Sequence, residues 1–467
     1  MLATYTIKLP VFNPGEEEML SNIENKFLMK YSARLARLTR EERDARAKEL
    51  LIDEYKHVGK KITDEELKDR VRYVSGYTVI DSLISDDDIE EILINGAGLP
   101  VMIYHRSRGK CKTNVVFKTK EELDRFIEKV LIFCGLSSKK PIVDTILPEG
   151  PRVNFTLPPV SFDNSVVTIR KYLENPPTII DLIKNGTMTL DMAALIWVCI
   201  EGFGLAPRNI IVTGGTSCGK TTMLNSILPF SREHERIVSI EDTMELDLNY
   251  CEDWVRTTTS EYADMEKLVE NSLRLRPDRV IVGEVRGREA FNLINAMNLG
   301  HTGMGTIHAD SSRDAILKLI SPPMNVDPRM LVVLDLIIVL TRFHEGKTSR
   351  RMITHIDEVG GLMEGQVQIG SVYKYNAKTK KTEFSRFPAV TINKISEIAG
   401  LTPKDVIDEI RKRELILKYL VLKDVTKLED FLNFVRSYYD EPQKVMNMIM
   451  MEKRLRMPEP NESQREG

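Results

Sequence analysis

The pattern of apolar and charged residues changes along this chain, and the N-terminal part has the periodicity of a helix. In residues 31–70, leucines and a tyrosine recur at near-helical spacing among 21 charges of both signs in 40 positions. That pattern predicts one or two amphipathic helices with a solvated face. A helix that only packs on the fold and a docking surface for a partner are both compatible with it.

From about residue 79 the chain is built of short segments rich in β-branched residues, which predict strands. A helix-like stretch, EELDRFIEKVLIFCG, lies among them, so an α+β domain is predicted to end near Tyr172. Pro176, Pro177 and a Gly–Thr turn near residue 186 then indicate an interdomain linker. The predicted strands are EEILIN, VMIYH, TNVVF, RVNFTLPP and SVVTIRKY.

The next part of the chain alternates short apolar strands with helical stretches. The strands NIIVTG, RIVSIE, RVIVGE and GTIHA are separated by TTMLNSIL, ADMEKLVENSLRL and REAFNLINAMNLG. This alternation predicts a mainly parallel sheet covered on both faces. Residues 335–388 read as further strands, expected to be antiparallel, and the chain is predicted to be helical from Thr391 to about Met457.

The predicted fold class is α/β, with an α+β domain before the main sheet domain and helices after it. The regions are a variable helical region (1–78), an α+β domain (79–172), a linker (173–186), the α/β domain (187–390), a C-terminal helical region (391–457) and a flexible tail (458–467).

Composition excludes several classes of protein. The 467 residues are 42% hydrophobic and 29% charged with a net charge of −3, so sizeable cores are expected and a strongly basic chromatin-type protein is excluded. No apolar run approaches the roughly 18–20 residues of a transmembrane helix. The five scattered cysteines, none in CxxC spacing, favour a reducing, intracellular compartment and give no zinc site.

A phosphate-binding motif stands between the strand NIIVT and the helix TTMLNSIL. The sequence from Gly214 to Thr221 fits G-x-x-x-x-G-K-[ST], in which backbone N–H groups cradle phosphate oxygens at a helix N-terminus. Lys220 is expected to bridge the β- and γ-phosphates, and Thr221 to hold Mg²⁺. Cys218 is unusual in such a loop, and a redox-sensitive loop is the alternative to a tolerated substitution. The predicted nucleotide-binding residues are Gly214, Gly215, Thr216, Ser217, Cys218, Gly219, Lys220, Thr221 and Thr222.

A nucleoside triphosphatase also needs carboxylates, and two strand ends supply them. The strand RVIVGE ends in Gly283-Glu284, without the Asp that usually binds the metal there, whereas RIVSIE ends in Glu241-Asp242. Because carboxyl ends of parallel strands meet at one crevice, Glu241 and Glu284 are expected to face the same site. An N-cap of the following turn is the alternative role for Glu241-Asp242.

Two histidines, His301 and His308, flank a Gly-rich segment in GHTGMGTIHAD. Glycines at the start of a strand beside a nucleotide site predict a loop that approaches phosphate closely. Ordinary polar roles for both histidines remain open.

Taken together, four segments resemble one family. GGTSCGKTT, IEDTMEL, LRLRPDRVIVGEVRG and GHTGMGTIHAD are similar to the Walker A, Asp box, Walker B and His box of the type II/IV secretion ATPases, the general secretory pathway protein E superfamily. The segments DDDIEEILINGAGLPVMIYHRSRGKCKTNVVF and LPEGPRVNF with TIRKY are similar to its N-terminal domain. The helical tail looks most like archaeal members.

The resemblance implies a RecA-like core and a homohexamer that binds ATP and Mg²⁺ between the two domains of each subunit. It implies that Glu284 orients the attacking water, that Glu241 belongs to the Mg²⁺ shell, and that His301 and His308 sense nucleotide state. Arg152 and Arg170 match arginines of the N-terminal domain that reach the nucleotide, with structural surface pairing as the alternative. A zinc module of many bacterial relatives is missing from this sequence.

The resemblance favours a cytoplasmic motor ATPase, peripheral at the inner face of the membrane. Its expected partner is a polytopic membrane platform protein, through which it acts indirectly on pilin-like subunits. The alternatives of pilus, archaellum and secretion system stay open, as do extension and retraction, although the missing zinc module argues against a bacterial type II secretion or pilus-extension enzyme. A nucleic-acid translocase on the same core and a non-hydrolysing nucleotide-gated scaffold are the competing functions, and the balanced charge counts against the translocase.

Overall fold

The computed structural model describes residues 2–10, 12–136, 140–162, 164–171, 176–260, 262–345 and 348–455. The chain forms two compact units. The first comprises Met1–Glu174 with Gly346–Thr348, and the second comprises Asn175–Glu345 with Ser349–Gly467. The tail predicted for residues 458–467 lies outside the described residues.

The first unit is a mixed sheet with helices against one face. Its strands have the order β1-β4-β3-β2-β7-β6-β5; β1 pairs parallel with β4, and the other neighbours are antiparallel. The strands are β1 (Ala3–Tyr5), β2 (Ile89–Ile94), β3 (Pro100–His105), β4 (Gly109–Val116), β5 (Ile142–Ile146), β6 (Arg152–Thr156) and β7 (Val166–Arg170). The helices are α1 (Pro14–Leu35), α2 (Arg40–His57), α3 (Asp64–Ser75), α4 (Asp81–Ile84) and α5 (Lys120–Phe133).

One hydrophobic core holds this unit together. Strands such as β6 alternate buried and half-buried residues, which is the pattern of a sheet with one covered face. Leu20, Phe27 and Leu51 of the N-terminal helices lie in the same cluster as Val153 and Phe155 of β6. The boundary predicted at residues 78 and 79 therefore falls inside a single core, and the region predicted to be helical also contributes the strand β1.

The second unit is built around a nine-stranded sheet. Its strands are β8 (Ile210–Gly214), β9 (Ile237–Glu241), β10 (Trp254–Thr258), β11 (Arg279–Val285), β12 (Thr302–Ile307), β13 (Leu336–Glu345), β14 (Thr348–Met363), β15 (Gln366–Asn376) and β16 (Lys381–Phe384). Its helices are α6 (Ile179–Lys184), α7 (Leu190–Glu201), α8 (Lys220–Ile227), α9 (Met265–Ser272), α10 (Glu289–Asn298), α11 (Ser312–Ile320), α12 (Ala389–Ala399), α13 (Pro403–Leu422), α14 (Leu428–Asp440) and α15 (Pro442–Leu455).

The strand order in this sheet is β10-β9-β11-β12-β8-β13-β14-β15-β16. The pairs from β10 to β13 are parallel, as predicted for the four motif-bearing strands. The prediction that residues 335–388 form only antiparallel strands is wrong for β13. The N–H of Leu336 donates to the carbonyl of Asn209, 3.2 Å away, so β13 starts at the same edge of the sheet as β8 and runs alongside it.

Helices cover both faces of the sheet. Ile210 and Val212 of β8 pack into one core with α7, α8 and the C-terminal helices, whereas Ile211 packs into a second core with α9, α10 and α11. Because the strands β8 and β9 are buried on both faces, their sequences are mostly apolar. This confirms the α/β class with a mixed, mainly parallel sheet, preceded by an α+β part and followed by helices.

Two predicted region boundaries change in the structure. The second half of the expected linker, residues 173–186, forms α6, whose Ile179 and Ile180 are fully buried in the core of the second unit. Its Thr178 and Asp181 form a capping box, a helix start signal that the linker assignment overlooked. The C-terminal helices share that core, because Ile416 and Phe431 lie in the same cluster as Ile210.

Candidate nucleotide-binding site

The loop between β8 and α8 has the backbone of a phosphate cradle. Gly219, at the N-cap of α8, has a φ of 95°, and Ser217 has a φ of 57°. A Cβ on Gly214 would lie 2.3 Å from the carbonyl oxygen of Leu340 on the adjacent strand, so only glycine fits there. The motif residues Gly214 to Thr222 thus form one continuous strand–turn–helix, with the free N–H groups of α8 facing the loop.

Lys220 folds back over this loop. Its Nζ donates to the carbonyl oxygens of Gly214 at 3.1 Å and Gly215 at 3.2 Å. The ammonium group therefore lies on the concave side of the turn, where it is available to phosphate oxygens.

Cys218 is a packing residue of the loop. Its side chain is buried beneath Gly214, where an added Cβ would lie 2.6 Å from Sγ. Burial raises the pKa of the thiol, although the neighbouring charge of Lys220 favours the thiolate. Since the thiolate is the reactive form, these surroundings do not favour the redox-sensitive loop considered from the sequence.

Glu241, the last residue of β9, is a buried carboxylate with one unpaired oxygen. Its Oε1 accepts hydrogen bonds from the N–H groups of Glu245 at 2.8 Å and Leu246 at 2.9 Å. Among the described residues Oε2 has no hydrogen-bond partner, and it forms a long ion pair with the Nε of Arg256, 3.9 Å away. Burial raises the pKa of Glu241 to about 7, against the effect of the two backbone donors and Arg256. A buried, unpaired carboxylate oxygen is suited to an Mg²⁺ ion or its water ligands.

Glu241 is tied to the first turns of α8 through the loop that follows β9. Asn225 donates from Nδ2 to the carbonyl of Glu245 at 3.0 Å and accepts from the N–H of Asp247 at 3.0 Å. Thr221 and Asn225 are four residues apart and lie on one face of the helix. Thr221 therefore lies on the face of α8 that is linked to the loop after Glu241, and the binding of Mg²⁺ by the two residues stays a prediction.

Gly283 and Glu284 lie near the end of the neighbouring strand β11, beside Glu241. The position of a Cβ on Gly283 would be 3.0 Å from Cγ of Glu241, so the Glu241 side chain crosses the glycine. Glu284 forms an ion pair with Arg286, whose Nη1 also lies 3.8 Å from Asp242 Oδ2. Both predicted carboxylates are thus brought to the carboxyl edge of the sheet.

An open cleft of about 510 Å³ adjoins these carboxylates. Its walls come from the ends of β9 and β11 and from the start of α9, and they combine three acidic side chains with Arg286. The lining residues are Asp242, Thr259, Ser260, Asp264, Met265, Arg286, Gly287 and Glu289.

The two histidines lie at opposite ends of β12. His308 follows the strand at the carboxyl edge, where Thr213 of β8 donates to the carbonyl of Ala309 at 2.7 Å. His301 precedes the strand and its Nδ1 lies 2.8 Å from the carbonyl oxygen of Pro277. Six strand residues lie between the two histidines, so they are seven residue steps apart, roughly 23 Å at 3.3 Å per residue. The structure thus brings His308, and not His301, to the edge that carries the phosphate loop of its own chain.

The glycine-rich segment before His308 is not a phosphate loop, so that expectation was wrong. Gly303 and Gly305 pair within the sheet, opposite Val280 and Val282 of β11. A Cβ on Gly303 would lie 2.4 Å from Cε of Met297, and one on Gly305 would lie 3.2 Å from Cδ2 of Leu293. These glycines allow α10 to pack closely on β12.

Arg152 and Arg170 of the first unit are directly opposite each other on β6 and β7. Both belong to the sheet face that the helices leave open. Arg152 donates from Nε to Oδ1 of Asp144 at 2.8 Å, so one alternative considered from the sequence, a local ion pair, is present. Their action on the nucleotide stays a prediction of the resemblance.

The structure also distinguishes the roles of the arginines around β11, which the sequence alone did not distinguish. Arg279 is fully buried and pairs with Glu235 at 2.8 Å, whereas Arg274 forms an exposed pair with Glu270. Arg286 contacts Glu284, a predicted catalytic carboxylate.

Two further residues lie beside the phosphate loop, and neither was predicted from the sequence as a site residue. Oδ1 of Asp310 lies 3.4 Å from the Cβ position of Gly215, and Arg351 of β14 donates to the loop at Ser217.

Within the part of the chain that the structure describes, no helix is both long and apolar enough to cross a bilayer. Clusters of three or more His, Cys, Asp or Glu side chains at metal-binding distance are also absent from the described ranges.

A comparison of the sequence with known protein families identifies the family of this chain. Residues 76–368, more than half of the chain, match the model of the type II/IV secretion system protein family, and the chain belongs to that family.

Individual relatives are found among archaea and bacteria. An uncharacterized protein of Methanocaldococcus jannaschii is 28% identical over 547 residues, covering 78% of this chain and 76% of the relative. A probable conjugal transfer protein TrbB of Sinorhizobium fredii is 31% identical over 298 residues, covering 62% of this chain and 88% of the relative. Among solved structures, the Legionella pneumophila ATPase DotB matches at 17% identity with a TM-score of 0.45, covering 79% of this chain and 94% of that one.

Proposed function

We propose that this chain is an ATP-hydrolysing motor. The observation that carries the proposal is the pair of carboxylates at the strand edge beside the phosphate loop: Glu241, with a buried and unpaired oxygen, and Glu284 on the adjacent strand. A nucleotide-gated scaffold that does not hydrolyse needs neither carboxylate. Retention of both, together with Lys220, favours turnover.

The reaction joins the oxygen of a water molecule to the γ-phosphorus of ATP and breaks the bond between that phosphorus and the β–γ bridging oxygen. Lys220 and the N–H groups of the loop stabilise the charge on the phosphate oxygens. Glu284 orients the attacking water and accepts its proton. Thr221 and Glu241 would hold Mg²⁺, directly or through its water ligands, and the ion would supply positive charge near the phosphate oxygens.

The finer proposal follows from family membership and the resemblance of the motifs. The chain would work as a homohexamer at the inner face of the cell membrane, against a polytopic membrane platform protein. It would power the assembly of a type IV pilus-like filament, an archaellum or a related secretion system. Arg152 and Arg170 would couple hydrolysis to domain motion by reaching the nucleotide in the closed state.

A nucleic-acid translocase is the second candidate, and one observation favours it: a relative of this chain is named a probable conjugal transfer protein. Such a protein would hydrolyse ATP faster when DNA is added, with a strong dependence on salt. The net charge of −3 counts against it. Hydrolysis that is unchanged by single-stranded or duplex DNA would exclude this function.

The motor proposal is tested by steady-state hydrolysis and by ATP binding, with the full chain. Lys220→Ala should lose ATP affinity, whereas Glu284→Gln should bind ATP but hydrolyse it at least about 100-fold more slowly, in line with the loss of a positioned base. Glu270→Gln, at an exposed surface pair, is the matched control and should behave as wild type. Wild-type hydrolysis by either site variant would refute the assignment.

A further inference from the structure

One arginine outside every motif lies against the phosphate loop. Arg351 of β14 donates from Nε to the carbonyl oxygen of Ser217 at 3.1 Å. Its Cδ is 3.6 Å from the position that a Cβ on Gly219 would occupy, so the stem of the side chain lies over the N-cap of α8. Strand β14 is two places from β8 in the sheet, so no local pattern in the sequence links the two residues.

The guanidinium of Arg351 is held through its Nε. Among the residues that the structure describes, neither Nη1 nor Nη2 forms a hydrogen bond or an ion pair, and only Nε is engaged. The neighbouring Arg350 differs, because its Nη2 lies 3.4 Å from the carbonyl oxygen of Gly186. A guanidinium held at Nε beside a loop built for phosphate still has its planar pair of terminal donors available.

Arg351 and Lys220 approach the loop at different points. Lys220 contacts the carbonyls of Gly214 and Gly215 at the start of the turn. Arg351 lies at its end, where the Cβ position of Gly219 also faces Thr222, 3.9 Å away. Because the lysine of such a loop reaches the β- and γ-phosphates and the helix start cradles the α- and β-phosphates, the arginine is on the side nearer the nucleoside.

We infer that Arg351 binds the phosphates that ATP and ADP have in common, while its Nε fixes the loop at Ser217. This inference rests on the proposed ATPase function and adds a ligand contact to it from the same chain. An interaction made equally with substrate and product strengthens binding without lowering the chemical barrier from the bound state. Arg351 therefore contributes to nucleotide affinity and not to kcat.

The test compares Arg351→Ala and Arg351→Lys with Arg350→Ala in the full chain. Calorimetric titration with ADP and with ATP should show about tenfold weaker binding of both nucleotides to Arg351→Ala, the size of one lost charge-assisted contact. Arg351→Lys keeps the charge but not the fork, so a smaller loss of about threefold is expected. Arg350→Ala should bind as wild type. The kcat of Arg350→Ala should also stay within about twofold of wild type.

Three outcomes would overturn the inference. The first is that Arg351→Ala binds ADP as tightly as wild type. The second is that the kcat of Arg351→Ala falls without a change in its ADP affinity. The third is that Arg351→Ala, measured without ligand, has a lower melting temperature as well as a lower affinity, which would mean that the arginine only supports the fold. Failure of the proposed function is visible separately, because it would appear as absent ATP binding by wild type or as unchanged binding by Lys220→Ala.

Discussion

Cγ of Glu241 lies 3.0 Å from the place where a Cβ on Gly283 would stand, and the three nearest heavy atoms to that place all belong to Glu241. The sequence had left one puzzle, a Walker B strand without its metal-binding Asp. The contact explains it in physical terms. The stem of the Glu241 side chain lies against the place that a side chain on β11 would need, so any Cβ at position 283 would have to push Glu241 aside by a few tenths of an ångström.

The first prediction concerns this contact. Gly283→Ala should lower kcat about tenfold or more, because its methyl group displaces Glu241 from the metal corner. The backbone at Gly283 is not in the left-handed region, so alanine is compatible with the strand itself. Hydrolysis measured across a range of Mg²⁺ concentrations should show a higher Mg²⁺ requirement. Glu241→Ala combined with Gly283→Asp should recover part of the lost activity, and no recovery would contradict the account.

The second prediction concerns Arg286, which pairs with Glu284 and lies near Asp242. Arg286→Ala should lower kcat about tenfold with little change in ATP affinity, because Glu284 loses the group that orients its carboxylate. Arg274→Ala is the matched control, since Arg274 forms an exposed i,i+4 pair with Glu270 and surface pairs of this kind contribute little. Equal effects of the two substitutions on kcat would remove the special role of Arg286.

The third prediction concerns the buried charges that join the C-terminal helices to α7. Nη2 of Arg413, on α13, donates to Oε2 of Glu201 at 2.7 Å and its Nε to Oε1 of Glu409 at 3.0 Å, with the guanidinium 5.1 Å from the centre of the Trp197 ring. Arg413→Ala should therefore destabilise the second unit by about 1–3 kcal/mol, because the buried Glu201 loses one of its two arginine partners and keeps Arg232. Chemical denaturation followed by circular dichroism measures this.

A fourth prediction follows from the ionisation of Glu409 in the same network. Burial alone would raise its pKa, but Arg413 and the Tyr438 hydroxyl hold that pKa below its usual value. A lowered pKa in the folded state adds stability that is fully present above the unfolded pKa of about 4.3 and is lost as the pH falls through the folded pKa. The denaturant concentration at the unfolding midpoint should therefore decrease as the pH is lowered from about 5, and this decrease should be smaller in Glu409→Gln. Equal slopes in both proteins would contradict the prediction.

The sequence was most informative where the physics is local. Apolar runs identified β8, β9 and β11, since a strand buried on both faces has few polar residues, and the phosphate loop was recognisable because only glycines tolerate its backbone. Strand order was not available from such patterns. The parallel direction of β13 and the approach of Arg351 to Ser217 both depend on which strands become neighbours.

Local patterns also misled the interpretation in specific places. The glycines before His308 looked like a phosphate loop, but they are small because α10 packs against them. Two prolines suggested a linker, although Thr178 and Asp181 already marked the start of a helix. Glu241 could be predicted from its place at a strand end, whereas its relation to Gly283 needed the register between β9 and β11.

The two tryptophans of the chain stand at two separate places of the second unit, which gives the protein its own fluorescent probes. Trp197 stacks on Phe230 at 4.7 Å and donates to the Tyr439 hydroxyl, so its emission should report whether the C-terminal helices are docked. The ring of Trp254 lies 5.0 Å from the guanidinium of Arg256, which forms a long ion pair with Oε2 of Glu241. A charge arriving at that carboxylate should therefore change the emission of Trp254, and replacing either indole by phenylalanine isolates the signal of the other.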